Sequence, residues 1–511
     1  MSPSPKPAIF TYADFDLQAL CRQASALRQG VSCTCDPDQR PASGSFNWAI
    51  FISFEDRVRW VFRSPHPREF MPMEMAIKLL ASEAATLRYL GAHSDIPVPE
   101  IYDYCASSDN DIGIPFIFMS EAPGRPLSKF WRSAGSPQPD LETHSKAKIL
   151  SQLGSITWKL SQLRFDKIGS LFGDESFEIK ECLSRGHMLY GRQSLEIPRG
   201  PFTSEAEFYD SLISAFLEHA ETLQLSHHCF MAPVPSREDY QSSIQYESAV
   251  ELWNDSVAVG GKIDSADNRL DYIIAGDALR DIVRKLELPT VIPETFPLYH
   301  PDLSVNNIYV DDHYNITCII DWAFASSVPE SLLLTTPGLP QYRDEIASEL
   351  YKPFIDGFIS AMPGSIEERS IYRYQDSLER SQVFWRLSRL LNLESISDYT
   401  LFATVWHFAH GPEQDLGHYF LEQRSSPHYI RLYNEVKQED RPLSKVKKDE
   451  KDYFHNKDLR ETIARKLTLV SEWETRFTVN HQPRLRKDMF VASPKLWKWI
   501  QQFVQDWENM S

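Results

Sequence analysis

The stretch LYHPDLSVNNIYVDD, residues 298–312, sets three polar residues, Asp302, Asn306 and Asn307, between a His-Pro pair and the apolar run Ile308-Tyr309-Val310. Asn and Asp are poor strand formers, so the cluster serves chemistry better than it serves folding. The run ITCIID (316–321) follows after His313-Tyr314-Asn315, and two short apolar runs around such a turn predict a β-hairpin centred near residue 314. Folded there, 310 faces 318, 308 faces 320 and 307 faces 321. Asn307 and Asp321 then lie side by side at the open end.

An amide oxygen beside a carboxylate, with room for water, suits Mg²⁺, which binds through few protein oxygens plus substrate phosphates. Asp302 lies five residues before Asn307, in the loop entering the hairpin. A third acceptor beside a bound phosphate would orient and deprotonate an attacking hydroxyl.

Working outward, FNWAIFISF places Phe46, Trp48, Ile50, Ile52 and Phe54 at a strict period of two. Glu55-Asp56-Arg57 makes a polar turn and VRWVFR alternates again, a hairpin ending at Arg63. VSCTC (31–35) is expected as a strand upstream. MEMAIKLLASEAATLRYL (73–90) is a helix with Ile77, Leu80, Ala84 and Leu87 on one stripe. Glu83 falls inside that stripe, and a buried carboxylate requires a cation. IPVPEIYDY (96–104) and IPFIFMSE (114–121) read as two more strands, broken by Ala122-Pro123-Gly124-Arg125-Pro126. Thereafter amphipathic helices dominate, among them SKAKILSQLGSITWKLSQL, SEAEFYDSLISAFLEHAETL and RLDYIIAGDALRDIVRKL between about 140 and 290, and others from Tyr342 to about 437. RPLSKVKKDEKD (441–452) reads as a charged connector, followed by amphipathic segments at 459–477 and 495–507.

At 511 residues with 42% hydrophobic and 12% aromatic side chains, the chain can bury a large core or two to three smaller ones. A formal charge of −18 argues against a binder of nucleic-acid backbone, which needs a basic face. No stretch approaches the roughly 18 apolar residues that span a bilayer, and the first residues carry no apolar leader, so a cytoplasmic location is expected. Seven cysteines, at 21, 33, 35, 105, 182, 229 and 318, form no C-x-x-C pair. Cys33-Thr-Cys35 could hold a metal or cycle redox, but reduced incidental thiols are the commoner outcome.

His300-Pro-Asp302-Leu-Ser-Val-Asn-Asn307 resembles the H-x-D-x-x-x-x-N catalytic loop of kinases. Ile319-Ile-Asp321-Trp-Ala-Phe-Ala325 resembles the I-D-W-x-x-A segment of the aminoglycoside phosphotransferase, or choline-kinase-like, family, and of its fungal members in particular. The resemblance extends over about 42–127 and 296–330. It implies an α+β, protein-kinase-like two-lobed fold: a segment 1–41, a small antiparallel-sheet N-lobe over 42–124, a mainly helical C-lobe over 125–437 carrying the site at 298–322, and an extension over 438–511. It implies ATP and Mg²⁺ as cofactors and a small-molecule hydroxyl as acceptor. Asp302 would be the catalytic base, with Asn307 and Asp321 as metal ligands. Arg63 stands where the family carries its nucleotide-contacting Lys, and Glu83 matches that residue's helix partner. Gly44, in Ala42-Ser43-Gly44-Ser45-Phe46-Asn47, would belong to the phosphate-covering loop. Met119 to Ala122, including Glu121, would be the hinge against adenine.

The competing reading is a non-catalytic nucleotide-binding or scaffold protein, because position 63 is Arg instead of Lys and the loop at 42–47 has one Gly. A protein kinase is disfavoured: Val328-Pro329-Glu330 imitates A-P-E but leaves no length for an activation loop after Asp321. His300 is expected to hold the loop backbone and Trp322 to pack in the core. His407-x-x-His410 is a weak zinc candidate, and PKLWKWIQQFVQDW (494–507) is expected as a helix on its own domain.

Overall fold

The computed structural model describes residues 6–66, 71–132, 139–225, 228, 230, 265–286, 294–342, 344–394, 398–440, 442 and 444. The expected connector at 441–452 lies almost entirely outside the described residues, and the segments at 459–477 and 495–507 wholly so. By its contacts the chain forms two compact units. The first comprises Met1–Lys129, Glu142–Phe208 and Pro289–Glu379; the second comprises Phe130–Leu141, Tyr209–Leu288 and Arg380–Ser511.

In the first unit the period-two pattern becomes an antiparallel sheet. Asn47–Phe54 pairs with Arg59–Pro65 in the register Ala49↔Arg63, Ile50↔Phe62 and Ser53↔Arg59. The second strand runs two residues beyond Arg63, since Ser64 and Pro65 still face Trp48 and Asn47. Phe116–Ser120 and Ile101–Cys105 extend the sheet on one side, and Cys33–Thr34 flanks Asn47–Phe54 on the other. Side-chain parity then sorts the faces. Trp48, Ile50, Trp60, Phe62, Phe116 and Phe118 pack together on one face with Leu20 and Ala24. Ile117, Met119 and Val61 point the other way, onto Leu80 and Ala84 of the helix Met73–His93. Each fully buried large side chain contributes roughly 1.5–3 kcal/mol. Arg63 shares its parity with Val61, so the strand delivers it to the helix that carries Glu83.

Leu20 and Ala24 belong to a helix, Leu17–Leu27, started by Asp16, whose carboxylate accepts the Ala19 N–H at 2.8 Å. This helix, absent from the sequence reading, closes the outer face of the sheet.

The hairpin at the opening stretch forms between Ile308–Val310 and Ile316–Ile319, but not in the expected register. The pairs are Ile308↔Ile319, Tyr309↔Cys318 and Val310↔Ile316, with an irregularity between Tyr309 and Val310. The cause is the turn. Asp311 accepts the His313 and Asn315 N–H groups through one carboxylate oxygen, both at 2.8 Å, and Tyr314 takes the left-handed conformation at φ 59°, giving a five-residue loop. Asn307 therefore faces Ile320, whose N–H it accepts at 2.9 Å, and Asp321 lies one residue further on.

Elsewhere in this unit the helices Thr143–Gln162 and Tyr351–Ser360 cross at two glycines. A Cβ on Gly154 would stand 2.1 Å from the Phe354 carbonyl oxygen, and one on Gly357 2.0 Å from that of Ser151. Phe296–Tyr299 pairs with Ser326–Ser327 and with Arg164–Phe165. Glu330 follows, buried and ion-paired with Arg164.

The second unit is helical among its described residues. Phe230 packs on Tyr272, Phe402 and Phe420 at ring separations of 5.0, 5.6 and 5.7 Å, joining the helices Ala266–Lys285, Asp398–His410 and Leu416–Arg424. Arg424 meets the buried Asp271 at 2.6 Å. The chain is thus of the α+β class, an antiparallel sheet region followed by a largely helical remainder. Among the described residues no helix is long and apolar enough to cross a membrane.

Candidate active site

Arg63 is the junction of the site. One guanidinium nitrogen donates to Glu83 at 2.6 Å and another to Asp321 at 2.5 Å, so strand, helix and hairpin end are joined through a single side chain. The carboxylate in the helix stripe is 2% exposed, and its cation is Arg63, the partner that the family resemblance implied. Burial opposes the Arg63 charge, but Glu83 and Asp321 outweigh it and raise its pKa. The two carboxyls diverge. Burial pushes Glu83 up to about 7 against the pull of Arg63, with the Asp321 charge adding to the rise. Burial also works against Asp321, but Arg63, helped by His300 and Arg185, holds it below the usual carboxylate range. The site keeps its negative charge on Asp321, the residue at the end of the hairpin. Asp321 sits at φ 66°, a conformation Asp and Asn tolerate better than most residues.

His300 organises the loop before the hairpin. Its Nδ1 accepts the Asp302 N–H at 3.1 Å, which leaves Nε2 to donate to the Ile320 carbonyl at 3.0 Å. Only the neutral ring does both, and burial depresses its pKa to about 4. The structural role expected for His300 is the one observed. Asn307 donates through Nδ2 to the Asp302 carbonyl at 2.9 Å, which fixes the amide orientation. Trp322 is buried, donates to the Ile319 carbonyl at 3.0 Å and meets the His300 ring edge-on at 4.6 Å.

The His300 arrangement makes stability pH-dependent. An unfolded His titrates near 6.5 and the folded one near 4, so between these values the unfolded chain binds more protons and stability drops as the pH is lowered. The loss should reach about 3 kcal/mol at pH 4, at 1.36 kcal/mol per pKa unit. In urea unfolding, the advantage of wild type over His300→Gln is therefore expected to shrink as pH drops from 7 to 4. Parallel curves would count against this account. His187, whose pKa burial lowers to about 3, is common to both proteins and cancels in the difference.

Asp302 is 23% exposed at its side chain and lies 3.6 Å from Arg185, a residue that sequence reasoning did not single out. Arg185 opens a four-residue helix, Arg185–Met188, in a stretch without periodicity, and no sequence signal marks it. It donates to the Tyr342 hydroxyl at 3.1 Å, its guanidinium lies 4.6 Å over the Tyr342 ring, and Phe324 stands 5.9 Å away.

Three expected nucleotide contacts fall as follows. The segment 42–47 is less of a loop than expected: Ala42 and Ser43 pair with Ala49 and Trp48, leaving Gly44-Ser45-Phe46 as the tip, closed by the Gly44 N–H on the Asn47 carbonyl at 2.9 Å. A Cβ on Gly44 would meet only Asn47 O at 3.8 Å, so the fold does not demand glycine there. Phe46 packs edge-on against Phe324 at 5.1 Å and helps line a small void reaching Asn47, Glu83 and Ala323. Met119 is a buried sheet residue facing Val61 and Ile101. The Glu121 side chain is at the surface, 3.3 Å from Arg59, so a hinge role would rest on its backbone.

Next to the expected hinge, Gly124 has φ 92° and a Cβ there would lie 2.5 Å from the Val310 carbonyl oxygen, so the chain reaches the hairpin at this point only as glycine.

The donor set fits Mg²⁺ chemically: an oriented amide and an ionised carboxylate are hard oxygen ligands. Among the described residues no group of three or more His, Cys, Asp or Glu side chains could hold a metal, so phosphate and water oxygens would have to complete the shell. The other metal candidates do not gather ligands. The Cys33 and Cys35 thiols bond to the Cys21 and Phe51 carbonyls, and burial pushes them up to about 11 and about 12. His410 is engaged by Lys285 at 2.8 Å.

Residues 39–178 match the family model described as the phosphotransferase enzyme family. A subtelomeric hrmA-associated cluster protein of Aspergillus fumigatus is 28% identical over 200 residues, 37% of each chain. Altered inheritance of mitochondria protein 9 of Kluyveromyces lactis is 20% identical over 62% of this chain and 52% of its own. The chain thus spans well under two thirds of the length of these curated relatives. Among solved structures, macrolide 2'-phosphotransferase MphH of Brachybacterium faecium aligns over 78% of this chain and all of its own at 15% identity and TM-score 0.34. Plasmodium vivax ethanolamine kinase aligns over 80% and 85% at 11% identity and TM-score 0.35. These structural likenesses are loose, and the functional reading rests on the site.

Proposed function

We propose that the chain is a phosphotransferase that moves the γ-phosphoryl group of ATP to a hydroxyl of a small molecule with the help of Mg²⁺. The observation that carries this reading is the joining of Asp302, Asn307 and Asp321 in one loop and hairpin end, with Arg63 tying Asp321 to Glu83. In this reading Asp302 receives the acceptor proton, as its partly exposed carboxylate and tethered backbone allow. Asn307 and Asp321 would hold the ion, which when bound neutralises phosphate charge. Arg63 anchors the nucleotide phosphates while Glu83 fixes its direction.

The alternative, a non-catalytic nucleotide-binding or scaffold protein, is favoured by one observation: Arg63 occupies one of the two Asp321 carboxylate oxygens. The deciding experiment incubates the protein with ATP, Mg²⁺ and a panel of alcohols that includes ethanolamine and amino sugars, with ³¹P NMR as the readout. A phosphorylated product supports transfer; nucleotide binding without any product across the panel supports the alternative. A cytoplasmic location stays part of the proposal, and recovery in a mitochondrial fraction would replace it with the location named for the Kluyveromyces relative.

A further inference from the structure

Resting on the phosphotransferase reading, we propose that Arg185 is a further catalytic residue, whose guanidinium contacts the phosphoryl group in transit. In the transfer, the acceptor O–H proton passes to Asp302, the freed oxygen pair forms the new bond to the γ-phosphorus, and the bond from phosphorus to the bridging oxygen breaks, its electrons leaving with ADP. The oxygen that gives its proton to Asp302 is the one that bonds phosphorus. It must lie about 2.6 Å from the carboxylate, with the phosphorus a further 3–3.5 Å or so away before bonding. A cation within reach of that carboxylate is therefore within reach of the equatorial phosphoryl oxygens.

Arg185 meets this condition, at 3.6 Å from Asp302 Oδ2. The guanidinium plane is held in advance by the Tyr342 ring and hydroxyl. The segment carrying Tyr342 is itself tied to the catalytic loop, where the Val305 N–H donates to the Pro340 carbonyl at 3.0 Å. A planar fork held beside a developing trigonal phosphoryl group can stabilise its charge without reorganising.

The test needs no acceptor. Fluoroaluminate bound with MgADP imitates the phosphoryl group in transit, and the increment it adds to MgADP binding is measured by calorimetry on wild type, Arg185→Ala and Arg185→Lys. The expected result is MgADP affinity within about twofold in all three, and an increment that falls roughly 10- to 100-fold in the Ala variant, the size of a lost charge-assisted hydrogen bond. Arg185→Lys keeps charge and stem but not the fork, and should lose most of the increment, so it carries the test if the Ala variant does not fold. An increment that survives in both variants, or wild type that binds MgADP with no increment, overturns the role of Arg185. Wild type that binds no nucleotide overturns the phosphotransferase reading instead.

Discussion

Asp302→Asn is expected to lower phosphate transfer by about 10³-fold or more while MgADP affinity stays within about twofold of wild type, since a positioned general base is worth roughly 10²–10⁴. The structure explains why this substitution isolates chemistry from folding. Two contacts that shape the loop at position 302 are made by its backbone: the N–H donates to His300 and the carbonyl accepts from Asn307. The amide is nearly the size of the carboxylate, so what disappears is the ability to take a proton and the ion pair with Arg185. Turnover and ³¹P product analysis read the first effect, and calorimetry with MgADP the second. Retained turnover would remove Asp302 from the role of base. Loss of nucleotide binding along with turnover would place it among the binding residues.

Asp321→Asn should abolish the magnesium-dependent part of nucleotide stabilisation. A ligand at 100 times its Kd that binds only the folded chain adds about 2.7 kcal/mol. The variant is expected to show the same midpoint with ATP whether or not Mg²⁺ is present, whereas wild type should rise further when the ion is added. Asn is preferable to Ala because position 321 has φ 66°, where an Asn side chain is tolerated and the backbone is spared additional strain. Arg63 keeps Glu83 as a partner. Asp321 also contributes to the high Glu83 pKa, so its neutralisation lets Glu83 hold its charge more readily and partly compensates the guanidinium. A magnesium-dependent shift that persists in the variant would move the ion away from the hairpin.

Much of this site was legible because it rests on short-range periodicity. The 100° step along MEMAIKLLASEAATLRYL put Glu83 on the buried stripe, where it needs a cation, and the family resemblance implied that Arg63, at the end of the VRWVFR strand, is that cation, the ion pair that the structure has. The same arithmetic slipped at the hairpin, because register depends on turn chemistry. The Asp311 carboxylate draws Asn315 into the loop and moves every pair, leaving Asn307 opposite Ile320. The helix Leu17–Leu27 had a readable start at Asp16 and apolar residues at 17, 20, 24 and 27, a signal present but unused. Arg185 is different in kind. It meets Tyr342 across 157 positions of sequence, and no local pattern announces a contact made only by the folded chain.

The crossing of Thr143–Gln162 with Tyr351–Ser360 has an implication for anyone seeking sturdier variants. At Gly154 and Gly357 the two backbones touch with no layer of side chains between them, so there is nothing to repack. A methyl group at either position can be accommodated only by driving the helices apart. A second methyl at the other position needs the same displacement, so the double variant should lose less stability than the sum of the two single ones.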